Sequence, residues 1–264
     1  MEESKMKRTG VMTVMIVMLL VSSGFTDVKK DLLFYASFDN DLKADMAQGS
    51  RAPTIKGDKV FTLVEGIRGK GVLINYPDAF LYYETENNVY NDEGTVGLWV
   101  RAVGWESGDG YNHIFTQGKG ILYFFFQGQG RDLYWYYRGW DKEAKQVVSK
   151  RVSFRPTWKS GEWHHLAVPW SKEKGEIALF FDGEEAGRES NVPATIFNTK
   201  QGEFFSIGPM TPWDHVSGKA DTAIDEYAVY KRVLSNSEIR TLYNDISPEG
   251  KIRKLPAAYN PKAD

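Results

Sequence analysis

Short runs of alternating apolar and polar residues, broken by Gly, Asp and Asn, recur along most of this chain. A period of two marks strands with one buried face. Residues 95–102 are the clearest run: Val96, Leu98 and Val100 point one way, Trp99 and Arg101 the other. Residues 32–38 predict a first strand that ends at Asp39-Asn40-Asp41. Residues 60–64 and 71–74 predict strands on either side of a turn over 65–70. Further strands are predicted at 80–83, 113–116, 120–127, 133–138, 163–170, 176–182, 204–207 and 223–230. Many short strands, turn residues between them and little helical periodicity predict an all-β fold, a two-sheet antiparallel sandwich.

One helix is predicted, opening at Ser235. Ser235-Asn236-Ser237-Glu238 is a capping box: the Ser oxygen accepts from the amide three residues on, and Glu238 reaches back. Ile239, Leu242 and Tyr243 then share a face. Pro248, Gly250, Pro256 and Pro261 exclude regular structure beyond it, so residues 247–264 are expected as a flexible tail; a docking peptide is the other reading. At the opposite end Lys5, Lys7 and Arg8 precede an apolar run from Val11 to Val21, interrupted by Thr13. Ser22, Ser23 and Gly24 follow. That is the layout of a secretory signal peptide over residues 1–24. The run is shorter than the roughly 20 residues of a membrane span, and an uncleaved anchor is the alternative. The expectation is an exported protein, secreted, periplasmic or at the cell surface, with one domain over residues 28–246 and no stable membrane span.

Composition narrows the chemistry. The chain has 264 residues and no cysteine, which excludes thiol catalysis, disulfide frameworks and cysteine-based zinc sites. An exported chain without cysteine fits a bacterial source. The net charge of −2 gives no field that would draw nucleic acid. Aromatics reach 14%, with 8 Trp and 14 Tyr, a supply that suits both a β core and sugar-stacking surfaces.

Four segments carry a resemblance. They are Gly94-Thr95-Val96-Gly97-Leu98-Trp99-Val100, Gly161-Glu162-Trp163-His164-His165-Leu166-Ala167-Val168, Ile177-Ala178-Leu179-Phe180-Phe181-Asp182-Gly183, and the stretch from Ile224 to Ile239. In order and spacing they resemble the laminin-G-like jelly rolls of the concanavalin A-like lectin/glucanase superfamily, over residues 31–245. The resemblance implies a jelly-roll sandwich with one short C-terminal helix beside the last strand. It leaves function open, because the fold hosts lectins, glycosidases, lyases and adhesion modules. It makes Asp182-Gly183 a hairpin turn and His164-His165 part of the framework. It also implies that Asp39 and Asp225 lie near each other, where many relatives hold a structural calcium ion. Asp39, Asn40, Asp41 and Asp45 beside Asp225 could supply the oxygens that calcium wants. The other reading is that Asp39 caps a turn and Asp225 satisfies loop amides.

Catalytic patterns are sparse. His164 and His165 point to opposite faces of a strand and cannot grip one metal. Glu84 and Glu86 would share a strand face at a spacing near that of an inverting glycosidase pair. The Glu-x-Asp-x-x-Glu motif of the superfamily's retaining glucanases is absent. The densest feature is Tyr134-Trp135-Tyr136-Tyr137-Arg138-Gly139-Trp140. One strand parity sets Trp135 with Tyr137, the other Tyr134 with Tyr136. Whichever faces out offers a row of rings, with Arg138 and Trp140 at its end. Trp105 and Trp213 lie in turn-rich segments that favour exposure. The alternative is that a loop over 104–110 or 141–156 covers the rings. The leading expectation is an exported, non-catalytic module binding a carbohydrate or glycoconjugate through Trp105, Tyr134, Trp135, Tyr136, Tyr137, Arg138, Trp140 and Trp213. A partner protein at the cell surface is the other ligand considered for this module; a polysaccharide hydrolase or lyase on the same fold, and a structural adhesion module without a glycan ligand, are the alternatives.

Overall fold

The computed structural model describes residues 28–57, 61–75, 80–118, 122–127, 132–141, 144–197, 202–210, 218–219 and 221–246. The expected signal segment, the C-terminal tail and Trp213 lie outside the described residues. Two sheets face each other. The first has nine strands among the described residues. Its main path runs β14 (Glu184–Glu189), β13 (Glu176–Phe181), β12 (Trp163–Ser171), β7 (Glu93–Ala102), β17 (Thr222–Tyr230), β1 (Leu32–Ala36) and β2 (Met46–Ala47). β5 (Lys70–Ile74) pairs with β17 and with β4 (Thr62–Glu65). The second sheet runs β11 (Gln146–Phe154), β10 (Asp132–Asp141), β9 (Leu122–Gln127), β8 (Asn112–Gly118), β15 (Phe204–Ile207), β6 (Phe80–Glu84) and β3 (Thr54–Lys56). β16 (Gly218–Lys219) lies parallel to β8. The expected antiparallel jelly-roll sandwich is what the chain forms.

β17 is buried along its whole length, between β7 on one side and β1 and β5 on the other, and it buries Asp225 and Glu226 along with its apolar residues. Its first residues pair with β5, Ile224 opposite Val72. Its last pair with β1, Tyr227 opposite Ala36. A bulge between Asp225 and Ala228 separates the two halves, and Glu226 takes a positive φ of 51° there. Inward rings fill the space between the sheets. Phe34 meets Tyr83 edge-on at 4.8 Å and Phe205 at 5.3 Å. Trp135 reaches Trp170 of the opposite sheet at 6.3 Å.

A second apolar layer covers the outer side of the first sheet. There α2 (Asn236–Ile246) sets Ile239 against Ala167, Phe180, Ala228 and Tyr230. α1 (Ala194–Phe197) is a single turn. The capping box forms as expected: Ser235 Oγ accepts from the Glu238 amide at 3.3 Å, and Glu238 accepts from the Ser235 amide at 2.7 Å. Arg232 holds Glu238 and Asp31 together, tying the start of α2 to the chain ahead of β1. No helix among the described residues is long and apolar enough to cross a membrane.

Among the described residues the structure adds five strands that the pattern did not announce: the short β2, β3 and β16, and two longer edge strands. Residues 146–154, expected as part of a covering loop, form edge strand β11 beside β10. Residues 184–189 form edge strand β14 after the Asp182-Gly183 turn. Both are rich in charge, as edge strands tend to be. Lys150 of β11 reaches Glu189 of β14 at 2.8 Å and links the two sheets at that side. One expectation is corrected as well. β6 ends at Glu84, and residues 86–88 turn, the Asn88 amide bonding back to Thr85 O at 3.0 Å, so Glu84 and Glu86 do not share a strand face.

Candidate functional site

β10 sorts the aromatic block by parity. Leu133, Trp135 and Tyr137 point inward and are fully buried in the main core. Tyr137 packs on Phe197 of α1 at 4.9 Å. The even positions face outward. Tyr134 is 8% exposed, Tyr136 is half-buried and Trp140 is 49% exposed. Arg138 lies in the same strand opposite Ser149, and its side chain is outside the described part. Trp135 and Tyr137 are therefore removed from the expected binding row, because an inward ring in a close-packed core has no free face.

β11 completes the outer surface. Its register places Ser153 opposite Tyr134, Arg151 opposite Tyr136 and Val147 opposite Trp140. The guanidinium of Arg151 stands 5.3 Å from the centre of the Tyr134 ring, a cation–π contact. Tyr134 donates its hydroxyl to Asp132 Oδ2 at 3.0 Å, and Arg155 donates to Asp132 Oδ1 at 2.8 Å. Val147, 47% exposed, lies beside Trp140 and widens the apolar end. The result is a ribbon with a polar, charged end at Asp132, Tyr134 and Arg151 and an apolar end at Trp140. Rings beside fixed hydrogen-bonding groups are what a polar ligand with apolar faces requires. Sequence reasoning missed Asp132, Arg151 and Arg155. The signal was the inward alternation of Val148, Val152 and Phe154, interrupted by Lys150 where it reaches across to β14.

Trp105 is a further correction. It is 3% exposed, stacks on His113 at 3.7 Å with an 8° interplanar angle, and donates its indole N–H to Asp221 O at 2.9 Å. Gly104 and Gly110 take positive φ and fold the loop back over the end of the core. The turn residues that predicted exposure instead bury the ring between them. The structure brings together Tyr134, Tyr136 and Trp140 and leaves Trp105 apart from them.

Asp39 and Asp225 converge on the turn over residues 66–70. Asp225 Oδ2 accepts from the amides of Ile67 at 2.8 Å and Arg68 at 3.2 Å, and its Oδ1 accepts from the Glu226 amide at 2.7 Å. Asp39 Oδ1 accepts from the Lys70 amide at 2.9 Å. Burial pushes Asp225 up to about 7, against the pull of these amides. No group of three or more Asp, Glu or His side chains is placed to hold a metal among the described residues.

The paired histidines divide as their alternation requires. His164 faces Phe181 and Trp158, and its Nδ1 lies 2.9 Å from Asp182 Oδ2. His165 faces outward under α2, against Trp99 and Tyr243. Asp182, in the hairpin turn, also accepts from the His165 amide at 2.9 Å. Burial pushes the His165 imidazole down to about 4, although the Asp182 carboxylate opposes this. The folded state thus holds it neutral while the unfolded chain protonates near about 6.5. Stability should be full above that value and fall as pH drops towards 4. Urea midpoints at neutral and mildly acidic pH measure the loss, and His165→Phe should reduce it. An unchanged acid slope in the variant would assign the loss elsewhere.

A family model, Laminin_G_3, described as the concanavalin A-like lectin/glucanases superfamily, matches residues 79–240, more than half of the chain. The chain belongs to this superfamily. Within this superfamily member, β1 to β5 precede the matched stretch and still join the same first sheet, apart from β3, which joins the second. Neuronal pentraxin-2 of Cavia porcellus is 28% identical over 105 residues, covering 37% of this chain and 24% of that protein. The Homo sapiens protein is 29% identical over 105 residues. The match thus spans about a quarter of the length of these curated relatives. Among solved structures, the receptor-binding domain of a botulinum neurotoxin C/D mosaic superposes with a TM-score of 0.63 at 12% identity, over 83% of this chain and 52% of that one. The serotype D ligand-binding domain in complex with N-acetylneuraminic acid gives 0.62 at 12% identity, over 84% and 53%. The type C structure, whose cell entry depends on two ganglioside molecules, gives 0.63 at 12% identity, over 84% and 53%. The superfamily member spans about half of each solved chain, and the likeness is one of fold.

Proposed function

We propose that this chain is an exported, non-catalytic module that binds glycans on the outer face of β10 and β11. The observation that carries this reading is the outward row of Tyr134, Tyr136 and Trp140, with Arg151 over one ring and Asp132 beside it. Sugars present apolar C–H faces and polar hydroxyls, and this ribbon offers rings and charged hydrogen-bonding groups side by side. Support comes also from membership of a lectin-containing superfamily and from fold neighbours that bind N-acetylneuraminic acid or depend on gangliosides. Export rests on the signal-peptide layout of residues 1–24, and mass spectrometry of the exported chain tests it.

A glycan array probed with the full chain should return bound ligands. Trp140→Ala and Tyr136→Ala should each weaken binding about fivefold, from about 1 kcal/mol per stacked ring, and leave the fold intact. An empty array, or unchanged binding in both variants, would sink the proposal. A structural calcium ion at Asp39, Asn40 and Asp225 is proposed alongside. The meeting of both carboxylates on one turn supports it, while the amides already engaged by Asp225 weigh against it.

A further inference from the structure

A cavity of about 250 Å³ lies on the far side of the molecule from β10, between the first sheet and α2. It is independent of the proposed glycan face. Its floor is made of small residues: Gly97 of β7 pairs with Ala228 of β17. A Cβ at Gly97 would meet nothing nearer than His165 Nε2 at 3.8 Å, so the missing side chain opens the space. Trp99, Tyr35, Tyr230 and Leu242 form the walls. α2 bridges the gap rather than filling it.

The acidic group lining this space is Glu226. The bulge in β17 and its positive φ place this residue, 8% exposed, against the cavity. Glu226 Oε2 accepts from the Tyr35 hydroxyl at 2.8 Å. Glu226 Oε1 is buried and has no hydrogen-bond partner. Arg68, at the cavity border, acts on Glu226 only through space and donates its Nη2 to Asp245 O at 3.2 Å. A buried carboxylate oxygen without a donor is costly, and a cation with N–H groups is the partner that relieves it most. Aromatic walls favour the same charge, since ring faces attract cations. Size follows from a known scale: a cavity of about 150 Å³ holds benzene, so this one can hold a ring and a short arm. Lys29 and Arg68 border the space and disfavour a second positive charge on the ligand.

We propose that this cavity binds a small organic monocation, a primary ammonium on an apolar body the size of an aromatic ring, with its N–H groups on Glu226 Oε1. The test uses the full chain and three probes of similar shape: phenethylammonium, 2-phenylethanol and 3-phenylpropionate. Binding is followed by calorimetry and by the indole N–H resonance of Trp99. The ammonium should bind about tenfold or more tightly than the alcohol, as a charge-assisted bond replaces a neutral one. The propionate should not bind. Glu226→Gln keeps the side-chain size and should bring the ammonium to the affinity of the alcohol. Gly97→Leu fills the floor and should abolish both. Equal affinity for ammonium and alcohol in the native chain would overturn the proposal, whatever the variants do. So would undiminished ammonium binding in Glu226→Gln, or no response to any probe.

Discussion

Trp135→Ala should cost about 3–5 kcal/mol of stability, whereas Trp140→Ala should stay within about 0.5 kcal/mol. Both residues sit in β10, five positions apart, and the sequence treats them alike. Parity separates them. Trp135 is fully buried, meets Tyr137 edge-on at 6.1 Å and spans the sandwich to Trp170. Removing its indole leaves a large void between two sheets that cannot collapse onto it, because strands on both sides fix their spacing. Trp140 loses only surface contacts. Tyr137→Ala should follow Trp135, and Tyr136→Ala should follow Trp140. Chemical denaturation of the four variants gives the comparison. Equal losses at odd and even positions would mean that the outer face of β10 is covered, and the glycan proposal would lose its surface.

Asp225→Ala should cost about 3–5 kcal/mol. Its carboxylate is fully buried and takes three amide donors, two of them from the turn that leads into β5. Deletion leaves the buried Glu226 N–H and the part-buried Ile67 and Arg68 N–H groups without their acceptor, and the turn loses its anchor on β17. A loss under about 1 kcal/mol would show that water replaces the carboxylate there. The same variant separates the calcium proposal from the amide role. If an ion binds, calcium raises the melting temperature of the native chain by mass action and does not do so for Asp225→Ala. Identical melting curves in calcium and in chelator would remove the ion and leave the amide role standing.

The strands that the sequence revealed are those whose pattern one face dictates. β7 alternates because its inner side meets the core, and α2 announces itself because its cap and its apolar stripe are local signals. β11 and β14 were hidden for a physical reason. Edge strands carry Lys150, Arg151, Glu185 and Arg188 at positions where a central strand would carry Val or Ile. The aromatic block was legible as a strand but not as a surface, since alternation reports two faces without naming the inner one. Trp105 misled because Gly and Asp describe a loop's backbone and not where its side chain goes. The cavity under α2 was invisible for a similar reason. It depends on a positive φ at Glu226, which sequence pattern does not forecast for glutamate.

The placement of β17 also fixes when the protein can fold. This strand joins β7 on one side to β1 and β5 on the other, and the Tyr35–Glu226 bond closes a separation of 191 positions. Until residue 230 has left the ribosome, the first sheet exists as three fragments with open edges: β7 with β12 to β14, β1 with β2, and β5 with β4. Folding is therefore a late event of the whole chain, slow in the manner of topologies dominated by distant contacts. A chain stopped before β17 leaves the pairing edges of β7, β1 and β5 unoccupied, and other chains can add strands to them.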